Sequence, residues 1–284
     1  LAQHVRAIKI RIGNIENIGQ ITKAMNAIAM TKVTRMKRRL AQVRPYMEGL
    51  EGFTRSLLGQ QSRDAEPHPL MVDNGSQETA VFVLNSDRGM CGRYKGELNR
   101  AADDAWREAS PHGVLIAGGE KARSYFERRG VKPVRSYVRV YDTPEPDAVE
   151  RMADDAMDLY LRGEVGSVRL IWMRFVSDLA QRLAVEDWLP VRLDPSPGEF
   201  LVEPDVETVL EQTLPLYVRA KLYAAVLETK TSEDAIRRQA MKSATDNAED
   251  LLTVLTRSYN KARQQSITRE IADIIGGAEA LRTD

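Results

Sequence analysis

The residues of this chain best suited to chemistry lie between positions 85 and 121. Gly89-Met90-Cys91-Gly92, with Gly96 four residues on, follows a short apolar run at 81–84, where a strand-to-helix loop could wrap a phosphate. Its spacing fits neither the dinucleotide fingerprint nor the phosphate-cradling loop that ends in Gly-Lys-Ser/Thr, and Gly118-Gly119-Glu120-Lys121 fails the same test. Tight turns account for these glycines. A nucleophilic Cys91 would need a base to take its proton, and His4, His68 and His112 are all remote from it in sequence. The three histidines fall in separate segments, which argues against a metal site. Asp103-Asp104 and Asp154-Asp155 read as solvated helix faces. The sequence therefore predicts no catalytic residue, no cofactor and no metal ligand.

Composition points the same way. The chain has 284 residues, 29% charged and 6% aromatic, with a formal net charge of zero, so neither disorder nor general nucleic-acid binding is expected. The neutrality conceals a segregation: residues 1–57 carry eleven Lys and Arg against three Asp and Glu. Lys32, Arg35, Lys37, Arg38 and Arg39 form a basic face without interleaved aromatics, better suited to solvent or to acidic loops of a partner than to nucleic acid. A single cysteine excludes an internal disulfide and fits a reducing compartment. No apolar run approaches the roughly eighteen residues of a membrane span and no leader pattern opens the chain, so a soluble protein without direct bilayer insertion is expected.

The elements that would position these residues are two long helices around an α/β centre. Residues 216–275 contain no glycine or proline, enough for a rod of about 90 Å. Leu222, Val226, Ile236, Ala240, Ala244, Ala248, Leu251, Leu255, Tyr259 and Ala262 recur mostly at spacings of three and four, as a two-helix seam requires. Residues 1–57 repeat the pattern with Ile8, Ile12, Ile15, Ile18, Ile21, Met25 and Ile28. After one irregular step Val33, Met36, Leu40, Val43, Met47 and Leu50 continue it. Gly13, Gly19 and Pro45 interrupt this helix, and Pro45 predicts a kink or local break. Antiparallel pairing would match positions summing to about 265, setting Met25 against Ala240. It would leave an apolar overhang of Ile267, Ile271, Ile274, Ile275, Ala278 and Leu281 that something else must cover.

Between the helices, residues 59–77 read as a mobile polar linker. Strands are expected at 81–84, 114–117, 134–140, 168–175 and 185–193, with helices at 97–108, 120–129 and 147–161. That alternation predicts a Rossmann-like, mostly parallel sheet covered on both faces. The fold class is thus α/β plus a long antiparallel two-helix coiled coil. Its domains are expected to be 1–57, a linker at 58–78, a central α/β domain at 79–204 and a second shaft helix at 205–284.

Specific motifs add a resemblance. Ile21-Thr22-Lys23-Ala24-Met25, Ala244-Thr245-Asp246-Asn247-Ala248 and Tyr259-Asn260-Lys261-Ala262-Arg263-Gln264 resemble the terminal helices of the gamma subunits of F-type ATP synthases. Ile267-Thr268, Glu270, Asp273, Gly277-Ala278 and Ala280 are similar to that family's closing signature. The loop Ser86-Asp87-Arg88-Gly89-Met90-Cys91-Gly92 also resembles it, but continues Arg93-Tyr94-Lys95 where many members have glycine, leucine and asparagine. The resemblance implies a non-catalytic central-stalk rotor that passes torque between a membrane ring of c subunits and a ring of three alpha and three beta subunits around one copy. Epsilon would be a further partner, and the chain a peripheral membrane protein on the cytoplasmic face of a bacterial plasma membrane. Residues expected to meet the alpha/beta ring are Lys23, Met25, Lys32, Arg35, Arg263, Gln264, Thr268, Glu270, Ile271 and Ile274. Phe200, Leu201 and Glu203 are expected to meet epsilon or the c-ring. A coiled-coil tether with an α/β head and a nucleotide-dependent enzyme are the competing classes.

Overall fold

A computed structural model of the chain describes residues 2–62, 64–109, 111, 113–140, 143–198 and 200–280, without the side chains of 2 and 276–280. His112 and Leu281 therefore lie outside the described residues, as do the side chains of Ala278 and Ala280. In chain order the elements are α1 (Ala2–Gln60), β1 (Thr79–Leu84), α2 (Tyr94–Ala109), β2 (Gly113–Gly118) and α3 (Glu120–Glu127). They continue with β3 (Arg135–Tyr137), α4 (Pro146–Leu161), β4 (Ser167–Phe175), β5 (Gln181–Leu189) and α5 (Val206–Ala280). Two compact units result, one of Leu1–Ala29 with Arg238–Asp284 and one of Met30–Arg237.

The larger unit is built on a sheet of order β3-β2-β1-β4-β5. β1 runs parallel to β2 and β4, β2 parallel to β3, and only β4 and β5 are antiparallel. Side chains alternate across a strand, so β1 feeds two cores. Ala80, Phe82 and Leu84 join residues of α4, α1 and α5 on one face, and Val81 and Val83 join residues of α2 and α3 on the other. Helices on both faces bury the aliphatic strands, each large side chain contributing about 1.5–3 kcal/mol.

Both long helices extend beyond their predicted interruptions. α1 passes through Pro45 without a break, and α5 begins ten residues before 216 and passes through Pro215. Burial along the opposite face outweighs one missing hydrogen bond at each proline. Asp205 starts α5: its carboxylate accepts from the Thr208 backbone N–H at 2.8 Å and the Thr208 hydroxyl at 3.0 Å. These bonds hold the Asp205 carboxyl below its ordinary range.

Three other predicted elements differ. The third strand pairs only over Arg135–Tyr137, because Arg139 takes a positive φ of 64°. The last strand is shifted to Gln181–Leu189, where a tight turn with Val176 N–H bonded to Ala180 O (3.2 Å) folds it back on β4. Its exposed, polar-alternating start hides it from a search for apolar runs. Within 59–77, residues 70–74 are held in place rather than loose. Leu70 is buried, its carbonyl accepts from Val191 N–H (2.8 Å), and Asn74 donates to the carbonyls of Tyr160 and Val165. The Tyr160 hydroxyl bonds Val72 O.

Burial, with Glu51 and Glu186 nearby, pushes the Tyr217 phenol up to about 12. A raised folded-state value keeps this group neutral in the fold while the unfolded chain ionises near 10. The associated stability is complete below pH 10 and is lost as pH rises toward 12, amounting to about 2–3 kcal/mol. Tyr217→Phe should flatten the alkaline fall of stability in urea titrations of the full chain between pH 9 and 11, and an unchanged slope would exclude this origin.

Candidate functional site

Within the smaller unit, the helices meet along a regular heptad. The buried or half-buried positions that follow it are Val5, Ile8, Ile12, Ile15, Gly19, Thr22, Asn26 and Ala29 on α1 and Met241, Thr245, Ala248, Leu252, Leu255, Tyr259, Ala262 and Ser266 on α5; Gly13, Met25, Arg238, Ala240 and Ala244 are half-buried beside them. Steps of three and four alternate throughout, the 3.5-residue period of a left-handed coiled coil. Thr22 and Thr245 hydroxyls lie 2.8 Å apart, and a Cβ on Gly19 would sit 3.6 Å from that of Ala248. Those contacts fix the antiparallel direction and a register summing to 267, not 265, so Met25 falls opposite Lys242.

This geometry corrects the predicted seam. Ile18, Ile21 and Ile28 are exposed rather than buried against α5, as are Leu251 and Val254 against α1. Continuing the 3-4 alternation from Ile15 finds Gly19, Thr22, Asn26 and Ala29, and removes the irregular step before Val33. Following the largest apolar residues instead leads off the seam, because this stretch packs through small and polar ones.

The predicted interface residues fall into separate groups. Lys23 is exposed on the rim of a shallow furrow of about 310 Å³ opened by Gly19, Thr245 and Ala248, and Met25 is half-buried beside the seam. Arg263 is 21 positions beyond Lys242, the partner of Met25, which places it about 30 Å further along α5. Around it Gln264, Thr268 and Glu270 are exposed; the Thr268 hydroxyl donates to Gln264 O (3.0 Å), and Glu270 accepts from Ser266 Oγ (3.2 Å). Ser266 is the last buried side chain among the described residues of α5. Ile267, Ile271, Ile274 and Ile275 are all exposed, Ile274 at 71%.

Lys32 and Arg35 belong to the larger unit, half-buried and exposed respectively. Two members of the same basic face are committed within that unit: Lys37 pairs with Asp178 at 3.0 Å, and Arg39 donates to Pro144 O at 3.1 Å. Phe200 stacks on Phe53 with ring centroids 5.6 Å apart, while Leu201 is 86% exposed and Glu203 is exposed beside it. Gly198 lies against α1 so closely that a Cβ there would meet Ser56 Cβ at 2.7 Å. The chain is pressed down before it presents Leu201.

Doubly wound sheets hold ligands beyond the carboxyl ends of their strands, where the strand order reverses. Here that place, between β1 and β4, is filled by α5. Ser232 Oγ donates to Met173 O at 3.1 Å, the Tyr94 hydroxyl donates to Thr229 O at 3.1 Å, and Ile236 packs where a side chain on Gly92 would begin. Several of the loop's polar groups bond internally, although Asp87 Oδ2 is buried without a hydrogen-bond partner among the described residues. Asn85 donates to Asn99 Oδ1 (2.7 Å), Asn99 donates to Lys121 O (3.1 Å), and Asp87 accepts from Glu120 N–H (3.0 Å) at the start of α3. Cys91 is buried; burial first, then the negative charge of Glu233, push its thiol up, so it stays protonated and unreactive.

No described helix is long and apolar enough to cross a membrane. The fold and the candidate site define a class of protein in which an antiparallel helix pair with exposed aliphatic side chains is combined in one chain with an α/β body. Comparison with known proteins narrows the class. The ATP synthase family profile matches residues 4–281. The ATP synthase gamma chain of Moorella thermoacetica is 35% identical over 282 residues, covering 98% of this chain and 99% of its own, and that of a Parafrankia species is 36% identical over 297 residues, covering 99% of each. The chain belongs to the ATP synthase gamma chain family. In fold it is similar to a chain of the Euglena gracilis mitochondrial ATP synthase OSCP/F1/c-ring structure, with TM-score 0.70, 19% identity, and 99% of this chain and 95% of that one covered. A chain of the rotor structure from the same organism gives TM-score 0.66 at 17% identity, covering 94% and 100%.

Gly19→Ala should raise the stability of the helix pair by about 0.5–1 kcal/mol, since the new methyl meets Ala248 at ordinary contact distance. Gly19→Leu should instead destabilise it by about 1–3 kcal/mol through overpacking. Thermal unfolding of the two variants checks both signs.

Proposed function

We propose that this chain is the central rotor of an F-type ATP synthase and does no bond chemistry itself. One copy would turn inside three alpha and three beta subunits. Its α/β body would meet the c-ring and epsilon through Phe200, Leu201 and Glu203, on the cytoplasmic face of the plasma membrane. The observation that carries this reading is the outward aliphatic surface: Ile18, Ile21 and Ile28 on α1, Leu251 and Val254 on α5, and Ile267 to Ile275 beyond the seam. Such side chains need cover on several sides of the stalk, which a surrounding ring provides and a single flat partner does not. Membership of the gamma chain family supports the same reading, as do the rotor and c-ring assemblies that contain its structural neighbours.

The mechanism is differential contact. α1 and α5 present different side chains around the stalk, so three otherwise identical catalytic subunits meet different surfaces at any one angle. Each is biased toward a different conformation, and rotation exchanges the biases. Lys23, Met25, Arg263, Gln264, Thr268 and Glu270 are the proposed angle-dependent contacts, joined by Lys32 and Arg35 on the larger unit. Ile271 and Ile274 supply an apolar tip that slides without a deep minimum at any angle. Ion movement through the membrane sector would drive synthesis, and ATP hydrolysis would drive the reverse.

Deleting the chain from Ile267 onward should leave the α/β body folded by circular dichroism and lower torque or ring assembly. Full coupled synthesis by that truncation would remove the bearing role. Reversing the charges of Lys32, Arg35 and Arg38, which spares the internal partners of Lys37 and Arg39, should weaken alpha/beta ring affinity several-fold at low salt and less at high salt. Salt-independent, wild-type affinity would rule the basic face out as a ring contact.

A further inference from the structure

The most polar stretch of α5 is also its most enclosed. Thr229, Lys230, Thr231, Ser232, Glu233, Asp234 and Ala235 are seven consecutive buried residues. Two full turns of helix thus have no face open to solvent, although a globular helix ordinarily keeps its polar face wet. Charge is balanced inside. Lys230 Nζ lies 3.2 Å from both Glu233 Oε2 and Asp234 Oδ2; Arg237 reaches Asp234 Oδ1 at 2.5 Å and also bonds Glu233. Burial would lower the Arg237 guanidinium, but Glu233 and Asp234 outweigh it and hold it above its ordinary value.

The same segment is tied to its surroundings in several directions. Glu228 accepts from Arg44 on α1 (3.1 Å) and from the Trp172 indole on β4 (2.9 Å). Ser232 donates to Met173 O on β4, Thr229 O accepts from Tyr94 on α2, and Arg237 reaches Gly89 O in the loop after β1 at 3.5 Å. At about 100° per residue, positions 228, 232 and 237 point near 0°, 40° and 180° around the helix. Twisting α5 either way breaks some of these bonds. Apolar residues of equal volume would enclose the helix at least as stably, so stability alone does not account for a polar segment here; directional bonds fix an angle, which greasy packing does not.

We infer that residues 228–237 are seated in a collar that locks α5 against twist and slide, and that torque passes between the helix and the sheet body at this point. The inference rests on the rotor reading. It differs from the ring contacts in being wholly internal to the larger unit. Nothing in it requires a ligand in the crevice between β1 and β4, because the locked helix is what occupies that crevice.

The test uses the assembled ATP synthase carrying Tyr94→Phe/Ser232→Ala, which removes two ties with little change of volume. Lys230→Met/Asp234→Leu, which removes one opposite-charge pair, is a second variant should the first fold poorly. Hydrogen exchange of amides 228–237 should quicken about tenfold. Unloaded ATP hydrolysis should stay at the wild-type rate, while rotation against a viscous load should fall at least about twofold as fewer ties resist twist. Wild-type rotation under load in a variant whose exchange has quickened would overturn the collar, as would unaltered exchange in both variants. A wild-type chain that does not turn in the assembly would overturn the rotor reading and the collar together.

Discussion

Two helices can approach closely only where their facing side chains are small. Gly19, Thr22 and Ala29 on α1, with Thr245 and Ala248 on α5, satisfy that condition. The large aliphatic residues of the same stretch must then go elsewhere, and Ile18, Ile21 and Ile28 turn outward. An ordinary coiled coil hides its isoleucines; this pair leaves Ile18, Ile21 and Ile28 exposed over part of its length. The surface that other subunits would grip follows directly from how narrow the seam is.

The larger unit obeys a second constraint. A doubly wound sheet normally leaves a crevice at its strand ends, and fold alone says little about what fills it. In this chain the crevice is taken by α5, whose buried ions are neutralised within one turn and whose Ser232 hydroxyl bonds to β4. The architecture of a nucleotide-binding domain is kept while its ligand position is given to the protein's own helix. Of the loop glycines, Gly92 and Gly119 take positive φ values of 54° and 94°, and Gly119 also makes a close backbone contact, since a Cβ there would lie 2.3 Å from Asn85 O.

Much of this was legible in the sequence. The two long helices follow from periodicity, and the parallel sheet from the alternation of apolar runs with amphipathic helices. Less legible were features that depend on partners distant in sequence. Residues 59–77 look loose because they are polar and aperiodic, yet Leu70 and Asn74 are held by Val191, Tyr160 and Val165, more than eighty residues away. β5 is half polar because it is an edge strand. Residues 229–235 are mostly polar, and only the fold reveals that they are buried, tied to Tyr94 on α2 and Met173 on β4. Met25 falls on the predicted stripe by its spacing from Ile21 and Ile28, but the heptad count gives the seam position to Asn26, with Met25 half-buried beside it.

The threonine pair at the seam has a further consequence, for length rather than angle. A coiled coil of small residues has little to stop it slipping along its own axis, and one heptad of slip would move the tip by about 10 Å. Thr22 and Thr245 meet in only one alignment, as Gly19 and Ala248 do. A polar contact placed at one level of an otherwise greasy seam selects register. It sets how far the second helix projects past the first, and so the depth to which the axle can be inserted.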